Sequence, residues 1–189
     1  MVEHSYSDMP QDDIVRFLFI GRVMEVKGID EYLACAKYLK EKYPNTEFAI
    51  AGWIEEEKCE DMIRSYHDKG IINYLGFQKN IADWIQKSTC VVLPSHGGEG
   101  VPNVLLEASA MGRPCIASRI NGSKDVVEDG VTGYLFEPGN GEDLIQKAEH
   151  FLKTTYEEKQ SMGKRGRAKV EKEFNRQIVI DKYLDEVNK

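Results

Sequence analysis

The stretch CVVLPSHGGEGVPNVLLEASAMGRPCIAS, residues 90–118, decides the fold of this chain. It opens with an apolar run that ends at Ser95 and closes with a second apolar run that ends at Ser118. Between them, the segment 101–111 is almost entirely apolar or small, and a glycine follows it. A strand, a helix and a second strand in this order predict a βαβ unit, whose two strands are parallel.

The same alternation extends to both sides of this stretch. Short apolar runs rich in β-branched and aromatic residues end at Gly21, Gly52 and Gly76, and segments of helical period separate them. A sixth run, GYLFEP, lies further along, and Asn140 is predicted to cap the next helix. The chain is therefore predicted to be α/β, a Rossmann-like, doubly wound parallel sheet of about six strands with helices on both faces. Residues 156–189 are predicted to form a helical C-terminal tail of two or more amphipathic helices.

Length and composition describe one globular domain. The chain has 189 residues, of which 41% are hydrophobic and 30% are charged, and this is enough to bury a full core. Residues 14–189 are predicted to form the domain, and the polar, acidic residues 1–13 a linker or chain edge that is neither a signal peptide nor a membrane span. A net charge of −7 argues against a nucleic-acid partner. The four cysteines lack the spacing of a zinc site.

The loop after the first strand carries the first candidate site residues. In a doubly wound sheet, ligands bind in the crevice at the carboxyl ends of the strands. This loop, GRVMEVKG, contains Arg22 and Lys27, and a helix begins directly after it. Two cations beside a helix amino terminus favour an anion such as a phosphate, although both could simply be solvated loop charges. The loop matches neither the Walker pattern nor Gly-x-Gly-x-x-Gly, which argues against ATP hydrolysis and nicotinamide binding.

Two carboxylates border the loop SHGGEG, which follows the fourth strand. Glu99 lies in this loop, and Glu107 lies about a turn and a half into the apolar helix, for which Pro102 suits the first position. A buried carboxylate persists only with partners. For Glu107 these are predicted to be ligand hydroxyls, such as the vicinal hydroxyls of a ribose or a hexose. Alternatively, it accepts a hydrogen bond from a core Ser or Tyr, or pairs with Arg22 or Lys27.

Three further side chains near strand ends admit two interpretations each. His96 lies in the same glycine-rich loop, where a lone histidine is more often a solvated or hydrogen-bonded residue than a catalyst. Trp53 and Phe77 each follow a glycine at a strand end, where an aromatic ring can flank a base or simply pack. The four histidines of the chain form no metal-binding pattern.

Several of these motifs together resemble one known family. The chain is similar to the C-terminal, donor-binding domain of family 4 (group 1) retaining glycosyltransferases of the GT-B fold in five segments: GRVMEVKG, AIAG, YLGF, EGVPNVLLEASAMGRPCIAS and DVVEDGVTGYLFEPGN. The resemblance runs from about Ile14 to the C-terminus. The Glu-x7-Glu element from Glu99 to Glu107 is its most specific part.

The resemblance implies a role for each matching residue. Arg22 and Lys27 hold the donor diphosphate and stabilise the departing nucleoside diphosphate, and Glu99 binds sugar hydroxyls; these three are the implied catalytic residues. Glu107 binds the ribose hydroxyls. Many members have Gly-Phe-Gly after the first glutamate, whereas this chain has Pro102 at the third of these positions, which removes one amide donor. The other implied donor-binding residues are Gly21, Phe77, Gly100, Val101, Asn103 and Val104.

The implied reaction passes a hexosyl group from a nucleoside diphosphate sugar to a saccharide or lipid-linked acceptor in polysaccharide biosynthesis. The acceptor-binding N-terminal domain of such enzymes has no counterpart in residues 1–13, so the chain alone is expected to be inactive. No metal or other cofactor is expected, because cations neutralise the diphosphate and no Asp-x-Asp element occurs. The full-length enzyme is expected in the cytoplasm, peripheral at the inner face of the membrane and without a transmembrane segment.

Two alternatives stay open. A nucleotide-sugar epimerase of similar two-domain architecture would form its product from the nucleotide sugar alone, without any acceptor. A non-catalytic nucleotide-sugar-binding module would bind the donor and do no chemistry. The presence of both cations and both glutamates argues against a degenerate module but leaves it possible.

Overall fold

The computed structural model describes residues 5–98 and 100–174, which contain one six-stranded sheet. The strands are β1 Val15–Ile20, β2 Thr46–Ala51, β3 Asn73–Gly76, β4 Cys90–Leu93, β5 Cys115–Ser118 and β6 Gly133–Phe136. Their order across the sheet is β3-β2-β1-β4-β5-β6, and every neighbouring pair is parallel. The prediction of a parallel sheet of about six strands is confirmed.

Helices cover both faces of this sheet. They are α1 Ile29–Lys42, α2 Glu60–Asp68, α3 Ile81–Lys87, α4 Asn103–Ala110, α5 Asn121–Val126, α6 Gly141–Lys153 and α7 Tyr156–Glu173. Helices α1 and α6 pack together on one face, and α4 and α7 pack together on the other. The sheet is therefore doubly wound, as the alternation of strands and helices predicts.

Strand β1 shows why the strand signal in the sequence is so strong. Phe17 and Phe19 belong to the core beneath α1, whereas Leu18 belongs to the core on the opposite face. Successive strand residues point to opposite faces, and the centre of a parallel strand is buried on both, so residues 17–20 form an unbroken apolar run. The register places Phe17 beside Phe48 of β2, and their rings stack with centroids 4.9 Å apart.

Helix ends follow the local signals only in part. The side chain of Asn140 accepts a hydrogen bond from the backbone of Asp143 at 3.0 Å, which confirms the predicted cap. Over its described part, the tail is one helix, α7, which confirms that the tail is helical, while the number of helices in residues 156–189 stays a prediction. Thr155 caps this helix by accepting from the backbone of Glu158, and no proline interrupts it. The rest of the tail, residues 175–189, lies outside the described residues.

The segment before β1 is packed onto the domain, which differs from the expectation of a linker. Met9 is buried, and the hydroxyl of Tyr156 donates to its carbonyl oxygen at 2.9 Å. The guanidinium of Arg113, which is 1% exposed, donates to the carbonyl oxygens of Ser7 and Asp8 at 2.7 and 3.0 Å. The same group also donates to the Ser7 hydroxyl and to the carbonyl oxygens of Ile85, Gln86 and Met111. The described residues before β1 are thus part of the folded unit.

The strand order creates one crevice at the carboxyl end of the sheet. Strands β1 and β4 are neighbours, although β2 and β3 come between them in the chain. The connections leave β1 and β4 toward opposite faces, and a doubly wound sheet binds its ligand at this switch point. The loops after β1 and β4 are those that carry the predicted cations and carboxylates.

Candidate functional site

The loop after β1 is held by the neighbouring loop after β2. Beyond the strand ends, the backbone N–H of Val23 donates to the carbonyl oxygen of Trp53 at 2.9 Å, and that of Glu55 donates to Val23 at 3.0 Å. Val23 is fully buried. The parallel hydrogen-bond ladder between β1 and β2 therefore continues into both loops, and it holds the backbone next to Arg22 in place.

Arg22 keeps much of its charge available to a ligand. Its side chain is 45% exposed, and its Nη1 atom lies 3.7 Å from Oε1 of Glu55. Exposed ion pairs of this kind are weak, so a bound anion can compete with the carboxylate. Lys27 is half-buried at the end of a short 3-10 turn, Glu25–Lys27, directly before α1. The structure thus places both predicted cations on one loop at the carboxyl end of β1.

The loop after β4 crosses this cation loop at close range. The backbone N–H of His96 donates to the carbonyl oxygen of Val26 at 2.9 Å, and the Ser95 hydroxyl donates to the same oxygen at 3.3 Å. Gly28 has a φ of +74°, and a Cβ atom there would lie 2.0 Å from the carbonyl oxygen of Pro94. Only glycine allows this approach. The two loops therefore form one unit at the switch point.

Helix α4 begins one residue later than the sequence suggests. Pro102 has an extended ψ of 118° and precedes the helix, so the prediction that it takes the first helical position is wrong. Its carbonyl oxygen accepts from the backbone of Leu105 and Leu106 at 3.1 and 3.3 Å. A residue before the helix can still begin the hydrogen-bond ladder, and the missing N–H of proline costs nothing there.

The amino end of α4 presents groups that suit an anion or a hydroxyl. No side chain caps this end within the described part of the chain. Gly100 and Asn103 are exposed, Val101 is 42% exposed and Val104 is half-buried. Glu99 lies outside the described residues, so its predicted role stays a prediction.

The surroundings of Glu107 favour the interpretation that its carboxylate binds a ligand over the interpretation that it pairs with another side chain of the protein. Its carboxylate is half-buried on α4, and among the described residues it has no hydrogen-bond or ion-pair partner. Arg22, one of the alternatives, pairs with Glu55 instead. A partly buried carboxylate without a protein partner is a suitable acceptor for the hydroxyls of a ligand.

An exposed aromatic pair lies at the carboxyl ends of β2 and β3. Phe77 is 68% exposed and Trp53 is 48% exposed, and their ring centroids are 5.9 Å apart at an angle of 49°. The indole Nε1 of Trp53 donates to Oε2 of Glu55 at 2.6 Å, and the other oxygen of Glu55 faces Arg22. The rings thus contact each other and leave open surface on which a planar group could stack.

A separate cavity of about 530 Å³ opens at the opposite end of the sheet. It is lined by residues near the amino ends of β1, β2 and β3, among them Arg16, Glu47 and Asn73, and by Trp84 and Lys87 of α3. No predicted site residue lines this cavity within the described ranges. The described residues that the sequence predicts to bind a ligand therefore lie elsewhere than at this cavity.

Sequence reasoning missed the contacts that support the site. Glu55 links Trp53 to Arg22, yet it stands in a run of three glutamates that looks like a solvated surface. The partner of His96 is Glu31 of α1, and nothing in the local pattern pairs them. For Arg113, a signal was available, because it is the one charge between an apolar helix and an apolar strand.

Within the described residues, no helix combines the length and the apolar character that crossing a membrane requires.

The family model for glycosyl transferases group 1 matches residues 9–169. The chain is also 27% identical over 184 residues to the capsular polysaccharide biosynthesis glycosyltransferase CapM of Staphylococcus aureus, a match that covers 94% of this chain. It covers only 47% of CapM, so the chain spans about half the length of this relative.

Two solved structures have the same fold. The C-terminal domain of the glycosyl transferase group 1 family protein LpcC from Francisella tularensis has a TM-score of 0.75 at 22% identity, with 86% of this chain and 87% of that chain covered. Anabaena HepE in complex with UDP has a TM-score of 0.79 at 20% identity, with 93% and 48% covered. Together with the match of the family model over most of the sequence, these likenesses lead to one conclusion. The chain belongs to the glycosyl transferases group 1 family.

Proposed function

We propose that this chain is the nucleotide-sugar donor-binding domain of a retaining glycosyltransferase, which moves a hexosyl group to a saccharide or lipid-linked acceptor. The observation that carries the proposal is the crossing of the loops after β1 and β4, which joins the cation loop to the loop that leads into α4. Family membership favours a transferase over the epimerase alternative. The UDP held by HepE, a protein of the same fold, is in keeping with a nucleotide ligand here.

The cation loop would bind the diphosphate of the donor. Arg22 and Lys27 supply positive charge, Gly21 lets the backbone approach, and the amides around Gly100 to Val104 supply donors at the amino end of α4. When the bond to the sugar breaks, negative charge develops on the departing nucleoside diphosphate. Fixed cations stabilise that charge, so the reaction needs no metal ion.

The nucleoside would extend from the diphosphate toward two further groups. Glu107 accepts hydrogen bonds from the ribose hydroxyls with a carboxylate that has no partner among the described residues. Phe77 offers an exposed ring on which a base can stack. Glu99 would bind the sugar hydroxyls, as its place in the Glu-x7-Glu element suggests.

The acceptor would bind to the N-terminal domain of the full-length enzyme, which is separate from this donor-binding domain. The chain alone would then bind the donor without transferring the sugar. The full-length enzyme would work in the cytoplasm, at the inner face of the membrane when its acceptor is lipid-linked. The four free, buried cysteines suit a reducing compartment.

Replacing Glu107 with glutamine tests the proposal directly. The change keeps the shape and removes the charge, so the free energy of unfolding is expected to stay the same or rise slightly. Nucleotide affinity is expected to fall by about 1–3 kcal/mol, the scale of a lost hydrogen bond to a charged group. The probe nucleotide is whichever of UDP, GDP and ADP the unmodified chain binds most tightly by titration calorimetry.

The matched control is Glu142→Gln, which removes an exposed carboxylate from the first turn of α6. It is expected to change neither melting temperature nor affinity. A lower melting temperature for Glu107→Gln with unchanged affinity would mean that this carboxylate supports the fold and does not bind the nucleotide.

Metal independence has its own test. Affinity for the probe nucleotide is expected to be the same in EDTA as in MgCl2 or MnCl2, because Arg22 and Lys27 take the place of a divalent cation. The titrations are run at one ionic strength, since salt alone weakens attraction between exposed charges. Binding that disappears in EDTA and returns with either metal would contradict this part of the proposal.

A further inference from the structure

The imidazole of His96 and the carboxylate of Glu31 lie close together beside the candidate site. Nε2 of His96 lies 3.0 Å from Oε1 of Glu31, and the two side chains are 30% and 13% exposed. Nε2 of His96 is itself buried, and it makes no hydrogen bond within the described residues. The short separation nevertheless makes the imidazole and the carboxylate close neighbours.

The carboxylate of Glu31 depends on this partner. Its second oxygen, Oε2, is buried and has no hydrogen-bond partner within the described residues. A carboxylate withdrawn from water is stable only when a donor or a positive charge compensates it. Loss of the imidazole would therefore leave the carboxylate uncompensated and would remove the side-chain contact between α1 and the loop that carries His96.

The pair lies between two groups of residues that are candidates for binding the donor. Glu31 stands four residues after Lys27, in the first turn of α1, and His96 stands three residues before Glu99. Their backbones already meet, because the N–H of His96 donates to the carbonyl oxygen of Val26. The contact between His96 and Glu31 adds an attachment to α1 itself, beyond the bonds of the His96 N–H and the Ser95 hydroxyl to Val26.

We propose that His96 is a positioning residue, which acts through Glu31 to hold the loop after β4 in register with the cation loop. This inference rests on the proposed function, because it assumes that both loops contact one nucleotide sugar. The distance between the two sets of ligands must match the donor, and a displacement of about 1 Å in such a site is costly. His96 itself contacts no substrate in this proposal.

The experiment compares two substitutions in the 189-residue chain. His96→Ala removes the contact, and we expect affinity for the probe nucleotide to fall about tenfold, because the two loops no longer hold their groups at the distance that the donor requires. His96→Gln keeps an N–H donor at a similar reach, and we expect it to restore most of the lost affinity. A role limited to stability would not produce this rescue.

Amide hydrogen exchange gives a readout without any ligand. The backbone N–H of residue 96 donates to Val26. We expect this amide to exchange faster in His96→Ala than in the unmodified chain, and slowly again in His96→Gln. His150→Ala is the control, because it removes an imidazole that packs edge-on against Tyr134, away from the site. It is expected to leave nucleotide affinity and the exchange of residue 96 unchanged.

The outcomes separate this inference from the proposed function. If His96→Ala binds the nucleotide as tightly as the unmodified chain does, the positioning role is wrong and the proposed function stands. Equal losses in His96→Ala and His96→Gln would show that the contact with Glu31 is not the cause. If the unmodified chain binds none of the three nucleotides, the proposed function fails and the positioning role fails with it.

Discussion

Replacing Arg113 with alanine is expected to lower the free energy of unfolding by about 3–5 kcal/mol. The guanidinium is buried and makes six hydrogen bonds, five of them to backbone carbonyl oxygens. Alanine would remove the donor from carbonyl oxygens that are buried or partly buried and would open a cavity where the side chain stood. The segment around Ser7 and Asp8 would then lose its attachment to the domain.

The charge of Arg113 persists at neutral pH. Burial lowers the pKa of Arg113 from its ordinary value to about 10, so the group is still protonated in both states near pH 7. Because the folded pKa is the lower one, the unfolded chain binds more protons only above about pH 10, and the group raises stability with pH only there. The effect of the substitution is therefore expected to be constant between pH 6 and 8.

Urea denaturation followed by circular dichroism measures this change. Arg64→Ala is the matched control, because this side chain is 69% exposed and its Nη1 atom lies 3.9 Å from the carboxylate of Asp61, in an exposed ion pair. It is expected to alter stability by less than about 0.5 kcal/mol. A similarly small effect for Arg113→Ala would contradict the assignment of this residue as the anchor of the segment before β1.

Replacing either of the two cationic residues that we propose to bind the diphosphate is expected to weaken binding of the probe nucleotide by about 1.5–3 kcal/mol. Arg22→Ala and Lys27→Ala each remove a positive charge from a loop whose backbone the neighbouring loops hold in place. The loss is expected to be larger at low salt than at high salt, because ions in solution screen the attraction that the cation supplies. Loss of both cations is expected to abolish measurable binding.

Titration calorimetry at two salt concentrations tests this expectation. Lys37→Ala is the control, because it removes an equal charge from an exposed position on α1. It is expected to change affinity only slightly and in a way that salt suppresses. Melting temperatures show whether each variant is folded. Unchanged affinity for Arg22→Ala and for Lys27→Ala would place the diphosphate elsewhere.

The architecture was predictable because its signals are local. The runs that became β1, β4 and β5 are apolar over most of their length, apart from Arg16 near the start of β1 and Ser118 at the end of β5, since strands inside a parallel sheet are buried on both faces. The cap of α6 at Asn140 is equally local, because it needs only a side chain and an amide three residues later. The sequence also predicted at which end of the sheet the site would lie, since ligands of such sheets bind at the carboxyl ends of the strands.

The supporting contacts were not predictable, because they join residues distant in the chain. Arg113 and Ser7 are 106 residues apart, and no periodicity relates them. Whether Pro102 begins α4 or precedes it depends on its ψ angle, and the residue type alone does not determine this angle. The same holds for His96 and Glu31, which meet only because β4 pairs with β1.

Glu107 shows the division between sequence and tertiary structure in one residue. Its place on an apolar helix after the fourth strand, and so near the switch point, follows from residue order and helical period. Whether the carboxylate has a protein partner depends on which side chains other elements bring to it. Arg22 could have been that partner, but the ladder between the loops after β1 and β2 places Arg22 beside Glu55. Periodicity determines which face a residue takes, whereas long-range packing alone determines what it meets there.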